Sequence, residues 1–462
     1  IAGRDFALIT AAELLDLLNT AAPGAHLVLR ATAVEGRISS LAADLDTVAA
    51  TLEFSDVRFL DEVLLTQVVF SMPVTFQRTT FAGDLSLAEA RFQREFALRE
   101  CQVDGKTNFR DARFAAVADF TGSQLAASFN GAGARFAAAA FTRLRCRGGA
   151  YLENVRFAGP ADFSEAVFGG VASFKDAHWE APVTFVGTRL IGRSFFWKAH
   201  FAAADFSRAR FARDTSFKQA EFASHPTFAG VTFGRAAHFE QVRFDAGATF
   251  DGSAFAGPAV FAGTHSRGDL MLNAIFRTSL DLRHLVAPVL DLRPSAAAPD
   301  SLLGQGAGLL LQNARLDRLF ASWDHLRGHL AQPEEQSGYE LDRVYAVLRH
   351  NFLRAGMEGD ARACHVESLD QRRRHLPWTA FERYALSVFG LTSGYGTDLQ
   401  RLALTAVVWV ALLALLYRWM PPAERPFGFV ECLAFSLHTF LNTGAAAVRA
   451  EGKVRFLALF QA

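Results

Sequence analysis

The sequence predicts a mainly β protein: a stacked solenoid over the first two thirds, then helices that reach into a membrane. Three observations carry this. A large apolar residue returns every five or six positions from Phe54 to Phe261, the pattern stops at about Pro294, and Leu402 to Tyr417 runs without a charge. Neither a helix, with period 3.6, nor a flat strand, with period 2, repeats at five to six residues. A solenoid does, because each repeat buries its apolar face on its neighbours.

The steps mostly alternate, so the true unit is eleven residues. One series reads Phe54, Leu65, Phe76, Leu87, Leu98, Phe109, Phe120; its partner reads Phe59, Phe70, Phe81, Phe92, Val103, Phe114, Leu125, Phe136. Downstream the expected rungs are Phe163, Phe168, Phe174, Phe185, Phe206, Phe211, Phe217, Phe222, Phe228, Phe233, Phe239, Phe244, Phe250 and Phe255. Two residues before a rung stands a small one, as at Ala166, Ala172, Ala220, Ala237 and Ala248, and the residue between is often polar. In, out, in along a short extended stretch is strand logic. The register slips near Gly131–Tyr151 and Phe201–Phe211, where five-residue steps run consecutively. Cys146 falls on one such run and reads as an interior rung rather than a reactive thiol.

The N-terminal segment 1–47 reads as a cap. Ala11 to Asn19 is a short helix, with Thr10 as N-cap and Glu13 completing a capping box. It covers the open end of a solenoid spanning 48–293.

Composition narrows the function. The 462 residues hold 47 Lys/Arg and 47 Asp/Glu, so no net charge draws nucleic acid or a basic partner. Phe is abundant at 44 and Tyr scarce at 6, which suits a stacked apolar interior. Cys101, Cys146, Cys364 and Cys432 form no C-x-x-C pair and suit a reducing compartment. No basic n-region precedes an apolar stretch, so no signal peptide is read at the N-terminus. The chain opens on Ile1 rather than Met, and residues are expected to be missing there. No nucleophile–base pair, phosphate loop or clustered metal ligands stand out; a non-enzymatic protein without cofactor or metal is expected. His325 and His329 sit at i, i+4 beside Asp324 without a third ligand, and read as a solvated face.

Phrases such as Ala161-Asp162-Phe163-Ser164-Glu165-Ala166-Val167-Phe168 match A-(D/N/T/S)-F-x-x, and the region resembles the Phe-rich pentapeptide-repeat family. The resemblance implies a right-handed quadrilateral β-helix, each side one repeat and each coil about four. The six-residue steps depart from the strict five and imply a bulged corner at every second side. Some family members mimic DNA and bind gyrase through an acidic surface; this repeat region is mildly basic, which disfavours that reading.

Residues 294–308 are rich in Pro, Ala and Gly and read as a linker. Helical patterns follow at Leu309–Leu330, Tyr339–Ala355 and Asp360–Arg374, making 309–392 a helical juxtamembrane region. In the second pattern Leu341, Val344, Tyr345, Leu348 and Phe352 share one face. Arg372-Arg373-Arg374-His375, followed by Trp378, Phe381, Tyr384 and Phe389, has the pattern of a membrane-surface helix.

A membrane module is expected over 393–462: a span at about 402–420, a pore-helix-like segment at 427–441, and the start of a second span at 454–462 where the chain stops. The order resembles the two-span pore module of bacterial potassium-type channels. Tyr395-Gly396-Thr397-Asp398 before the span and Phe435-Ser436-Leu437-His438-Thr439-Phe440 at the pore-helix place carry it. The resemblance implies a homo-tetramer, with Thr439, Asn442, Thr443 and Gly444 as pore-lining candidates. A potassium filter needs a T-V-G-Y-G-like loop, and here one glycine remains. Gly394-Tyr395-Gly396 precedes the span and cannot supply it.

The expected function is a membrane-anchored scaffold or sensor coupled to an ion-channel-like module, with a protein partner on the rod surface and no nucleic acid. A non-conducting tethered platform is the alternative. Arg372, Arg373, Arg374, Arg383 and Arg401 precede the span and place the rod in the cytoplasm, at the inner or plasma membrane.

Overall fold

The computed structural model describes residues 7–294, 302–330, 338–419 and 428–440. It comprises two compact units: residues 1–336 with 350–357, and residues 337–349 with 358–462.

The first unit is a parallel β-solenoid. Strand partners lie 22 residues apart, as in Phe54↔Phe76 and Phe76↔Leu98. One turn gives four short strands, for example Arg58–Phe59, Val63–Leu64, Val69–Phe70 and Val74–Gln77. They build two 13-stranded sheets and one 20-stranded sheet that covers two adjoining faces. Thirteen turns at a strand spacing of ~4.8 Å make a rod about 60 Å long.

The rungs point inward. All fourteen downstream rung residues are at most 1% exposed. Their rings stack in columns parallel to the axis. The longest runs Phe70, Phe92, Phe114, Phe136, Phe157, Trp179, Phe201, Phe222, Phe244, with successive centroids 4.5–5.7 Å apart. Rings from neighbouring columns meet edge to face, as Phe206 and Phe217 do at 88°. Both arrangements suit the ring quadrupole.

The corners explain the eleven-residue unit. A residue with positive φ recurs at Asp56, Gln67, Arg78, Glu89, Glu100, Asp111, Gly122 and Gly133, two positions after a rung. Each sits third in a tight turn such as Phe109–Ala112, closed by the Ala112 amide donating to the Phe109 carbonyl at 3.1 Å. The left-handed corner therefore lies inside the five-residue step. The six-residue step turns more gently, close against the coil beneath: a Cβ on Gly192 would strike the backbone of Gly170. The slips read from the sequence are single-residue deletions. Partners fall from 22 to 21 apart between Phe114↔Phe136 and Val117↔Ala138, and again between Trp179↔Phe201 and Pro182↔Ala203.

Both ends extend further than the Phe spacing indicated. Strands Ala7–Thr10, His26–Arg30 and Ile38–Ser39 already belong to the sheets, so the solenoid starts well before residue 48. Helix α1 (Ala11–Thr20) interrupts this first turn, with the expected capping box between Thr10 and Glu13. It buries Ala11, Leu14 and Leu18 at the rod's end. At the other end, Leu309–Leu330 is not a helix. Gly308–Leu310 pairs with Ser279–Asp281, and Arg315–Phe320 pairs with Val286–Asp291. Only α2 (Trp323–Leu326) is helical there. The in–out alternation persists with Leu as the inward residue: Leu309, Leu311 and Leu319 are buried. Of the expected linker, residues 295–301 lie outside the described residues, and Leu303 already bridges to Phe276.

The remaining helices are α3 (Gly338–Arg354), α4 (Glu358–His375), α5 (Phe381–Ser393), α6 (Leu399–Trp419) and α7 (Phe429–Phe440). Val344, Tyr345 and Leu348 of α3 are buried, and the Cys364 thiol of α4 lies 3.8 Å from the Tyr345 carbonyl. Phe352, within the rod unit, meets Trp323 edge-on at 6.4 Å.

Candidate functional site

The rungs carry no chemistry, because their side chains are sealed inside. The interior thiols are inert for the same reason. Burial pushes the Cys101 thiol up to about 12 and the Cys146 thiol to about 11. Cys101 occupies a column that the Phe spacing does not reveal: small residues immediately after the left-handed corner. Thr79, Cys101, Ser123, Thr188 and Thr264 each donate to a rung carbonyl 25 residues earlier, as Ser123 does to Leu98 at 2.6 Å. The signal was a recurrent Thr, Ser or Cys three positions after a rung.

The outward positions form lanes, since parallel register places equivalent residues one coil apart. One lane holds half-buried aspartates: Asp119, Asp162 and Asp205 accept the amides of Thr121, Ser164 and Ser207 at 2.8–2.9 Å. Partial burial opposes ionisation of Asp119, but hydrogen bonds from Thr121 and Arg99 outweigh it and hold its carboxyl below the usual range. A second lane stacks Arg91, Arg113, Arg135 and Arg156 in consecutive register, followed by His178 and His200. A third face has a groove of about 390 Å³ lined by Gln124, Ala126, Arg145, Arg147 and Gly169 among others.

His325 and His329 do not converge on a site. The His329 ring bonds the Ala307 carbonyl at 2.8 Å as part of the last coil. No group of three or more potential metal ligands gathers among the described residues.

In the helical unit, α6 is 21 residues long, and its most apolar 18 residues have a mean hydropathy of 2.0 with 11% of them buried. Among the described residues it is the one helix long and apolar enough to cross a membrane. Leu404, Val407 and Trp409 are more than half exposed. Before it, α5 presents Phe381, Tyr384, Val388 and Leu391 outward, at 55–85% exposure. Its hydroxyls turn back on their own helix: Ser387 donates to Arg383 and Thr392 to Val388. Such internal bonding suits an apolar surround.

Of the basic cluster, Arg372 pairs with Glu382 at 2.7 Å, and Arg373 and Arg374 with Asp370 at 2.6 and 2.7 Å. Arg383 stacks 3.8 Å above Trp378. Gly394-Tyr395-Gly396 is the left-handed turn between α5 and α6, at φ 55°, 58° and 79°. It has a structural role, with the Tyr395 ring packed against Gly390.

Helix α7 packs on α6: Tyr417 meets Phe435 edge-on at 5.0 Å, and the Ser436 hydroxyl donates to the Val410 carbonyl at 2.9 Å. Of the pore-lining candidates, Thr439 falls in the last turn of α7, while Asn442, Thr443 and Gly444 lie outside the described residues, as does the second span expected at 454–462.

Against known proteins, residues 152–200, 163–210 and 196–242 match the family model described as Pentapeptide repeats (9 copies). No curated protein and no solved structure matches the chain. The match places pentapeptide repeats at residues 152–242, within a β-solenoid whose four-strand turn and inward Phe columns continue on either side of them.

Proposed function

We propose that the chain is a non-enzymatic pentapeptide-repeat scaffold tethered to a membrane by α6. The observation that carries this is α6 itself, an uncharged helix core whose Leu, Val and Trp side chains point outward. At 1.5 Å per residue it is about 31 Å long, matching the hydrocarbon core of a bilayer. Helix α5 adds an interfacial segment, aromatic on one side and preceded by the arginine cluster. The arginines on the N-terminal side of α6 favour a cytoplasmic rod. Alkaline carbonate extraction tests the tether: the full chain stays with the membrane pellet, and release into the supernatant overturns the reading. Protease access to the rod in sealed right-side-out cells overturns the orientation.

A second reading, a channel-like module, draws on α7. Twelve residues make about 18 Å, too short to span. Yet α7 folds back on α6 through Tyr417, Phe435 and Ser436, as a half-inserted helix does. A tetrameric pore is the form this reading takes. Planar-bilayer recording decides it: conductance supports a pore, and silence under every ion gradient leaves the tethered scaffold.

A further inference from the structure

We propose that one corner of the rod is a docking surface for an acidic, amphipathic polypeptide segment lying along the rod axis. Three features coincide there. The first is the arginine ladder. Arg91, Arg113, Arg135 and Arg156 project from consecutive coils, and the phenylalanine beside each stacks on the next at 4.7–5.0 Å, which fixes the spacing of the cations. Like charges so close repel one another, and an opposite charge laid over them relieves that repulsion. Their neighbours do little to neutralise them: Asp111 is taken by Arg110 at 3.0 Å, Glu89 accepts from Gln67, and Glu180 reaches only Arg156, at 3.9 Å. Among the described residues no carboxylate pairs with Arg91, Arg113 or Arg135.

The second feature is what adjoins the ladder. Beyond Arg113 the chain continues Ala115-Ala116-Val117, beyond Arg135 Ala137-Ala138, and beyond Arg156 Ala158-Gly159-Pro160. These residues are exposed or half-buried, with Val117 47% exposed. From Arg113 to Arg156 the cationic stripe thus runs beside a strip of small apolar side chains, while beside Arg91 the corner is the exposed Gln93-Arg94-Glu95. The third is backbone. The strands Arg113–Asp119, Arg135–Ala140, His178–Thr184 and His200–Asp205 run unbroken around this corner, and both single-residue deletions fall in them. Elsewhere on the faces most strands are two residues long. Of the ladder arginines, Arg113 and Arg135 stand on these unbroken strands, whereas the strands of Arg91 and Arg156 stop at Phe92 and Phe157.

These features choose the partner. A nucleic acid would answer the arginines but has no use for the alanine strip. A helix with one carboxylate per turn, about 5.4 Å apart, matches a cation on each coil closely, and its apolar side covers Val117 and its neighbours. The inference rests on the scaffold reading only in needing an exposed rod; the tether is tested separately by extraction, so either can fail alone.

The test uses the full chain in detergent, with micelles alone as blank. Fluorescence anisotropy follows a labelled peptide of about eighteen residues, with Glu at every third or fourth position beside a Leu face. Its scrambled isomer and single-stranded and duplex oligonucleotides serve as comparisons. The designed peptide is expected to bind. Arg113→Glu with Arg135→Glu should weaken it at least roughly tenfold, and Val117→Asp several-fold, with unchanged thermal unfolding because all three side chains point outward. Arg113→Gln with Arg135→Gln serves if the charge reversal misfolds. Absence of binding overturns the proposal, as does equal binding of the scrambled isomer or indifference to the arginine changes. Oligonucleotide binding that is lost in the arginine variants but indifferent to Val117→Asp reassigns the surface to nucleic acid and overturns it too.

Discussion

The two units use the same apolar residues in opposite directions. In the rod, Phe217, Phe228 and Phe239 are fully buried, each stacked between rings from the coils on either side. In the helical unit, Phe381 is 85% exposed, Leu391 79% and Leu404 65%. A residue that builds a core in the first unit meets the surroundings in the second. The difference teaches that hydrophobicity alone does not locate the core; period does. An eleven-residue recurrence aims every rung at one axis, whereas an uninterrupted apolar run on a helix covers all its sides and calls for an apolar medium.

The sharpest way to break this contrast is to place a charge in each unit. Phe217→Asp should destabilise the rod by on the order of 5 kcal/mol, from the lost ring and the unpaired buried carboxylate together. Circular dichroism of thermal unfolding reads the change. Phe381→Asp should leave that transition in place and instead reduce association with lipid vesicles. If both variants unfold alike, the rungs are not what holds the rod.

Within the helical unit, Val408→Arg near the middle of α6 should disfavour insertion by about 3 kcal/mol. A glycosylation reporter placed beyond the helix would show the lost span. The same change on the rod, Val117→Arg, should stay within about 0.5 kcal/mol by chemical denaturation. A soluble core helix would reverse the expectation for Val408, giving unfolding rather than failed insertion.

The buried thiols sharpen the contrast by pH. Cys101 is raised from 9.0 to about 12 mainly by burial, so the folded rod keeps the proton that the unfolded chain releases. Its contribution is fully present below pH 9.0 and fades as pH rises towards 12, because the unfolded state then binds fewer protons. Cys101→Ala should flatten that alkaline decline in denaturant titrations. Iodoacetamide should label Cys101 and Cys146 only as the rod unfolds, and prompt labelling below pH 9 would contradict a sealed interior. A small and local effect belongs to the cap: Thr10→Ala should cost about 1 kcal/mol at the start of α1, visible as faster amide exchange there and unchanged exchange at mid-rod.

The rod's middle was legible because Phe is both large and repeated, so Phe206 to Phe261 announces its own register. The ends were not. From Leu309 to Phe320 the spacing continues, but Leu replaces Phe, and clustered leucines read equally well as one face of a helix. At the start, α1 breaks the first coil, hiding the sheet membership of Ala7–Thr10. The arginine lane was unreadable for a different reason: Arg91, Arg113, Arg135 and Arg156 stand 21 or 22 residues apart and become neighbours only once the coil length is known to fall by one at the corner. In the second unit α3 followed from 3/4 spacing and α6 from its charge-free run, with Gly356 and Gly394 adopting the positive φ that ends a helix.

The parallel ladder has a mechanical side. Its amide-to-carbonyl bonds run along the rod axis, from one coil to the next. Tension applied end to end therefore passes through every coil in series, and a turn that yields gives up its few bonds before the next turn is released. Each released turn of 22 residues lengthens the chain by about 70 Å while shortening the rod by only ~4.8 Å. A pulled rod would yield in equal steps, a graded extensible spring rather than a strut with one breaking load.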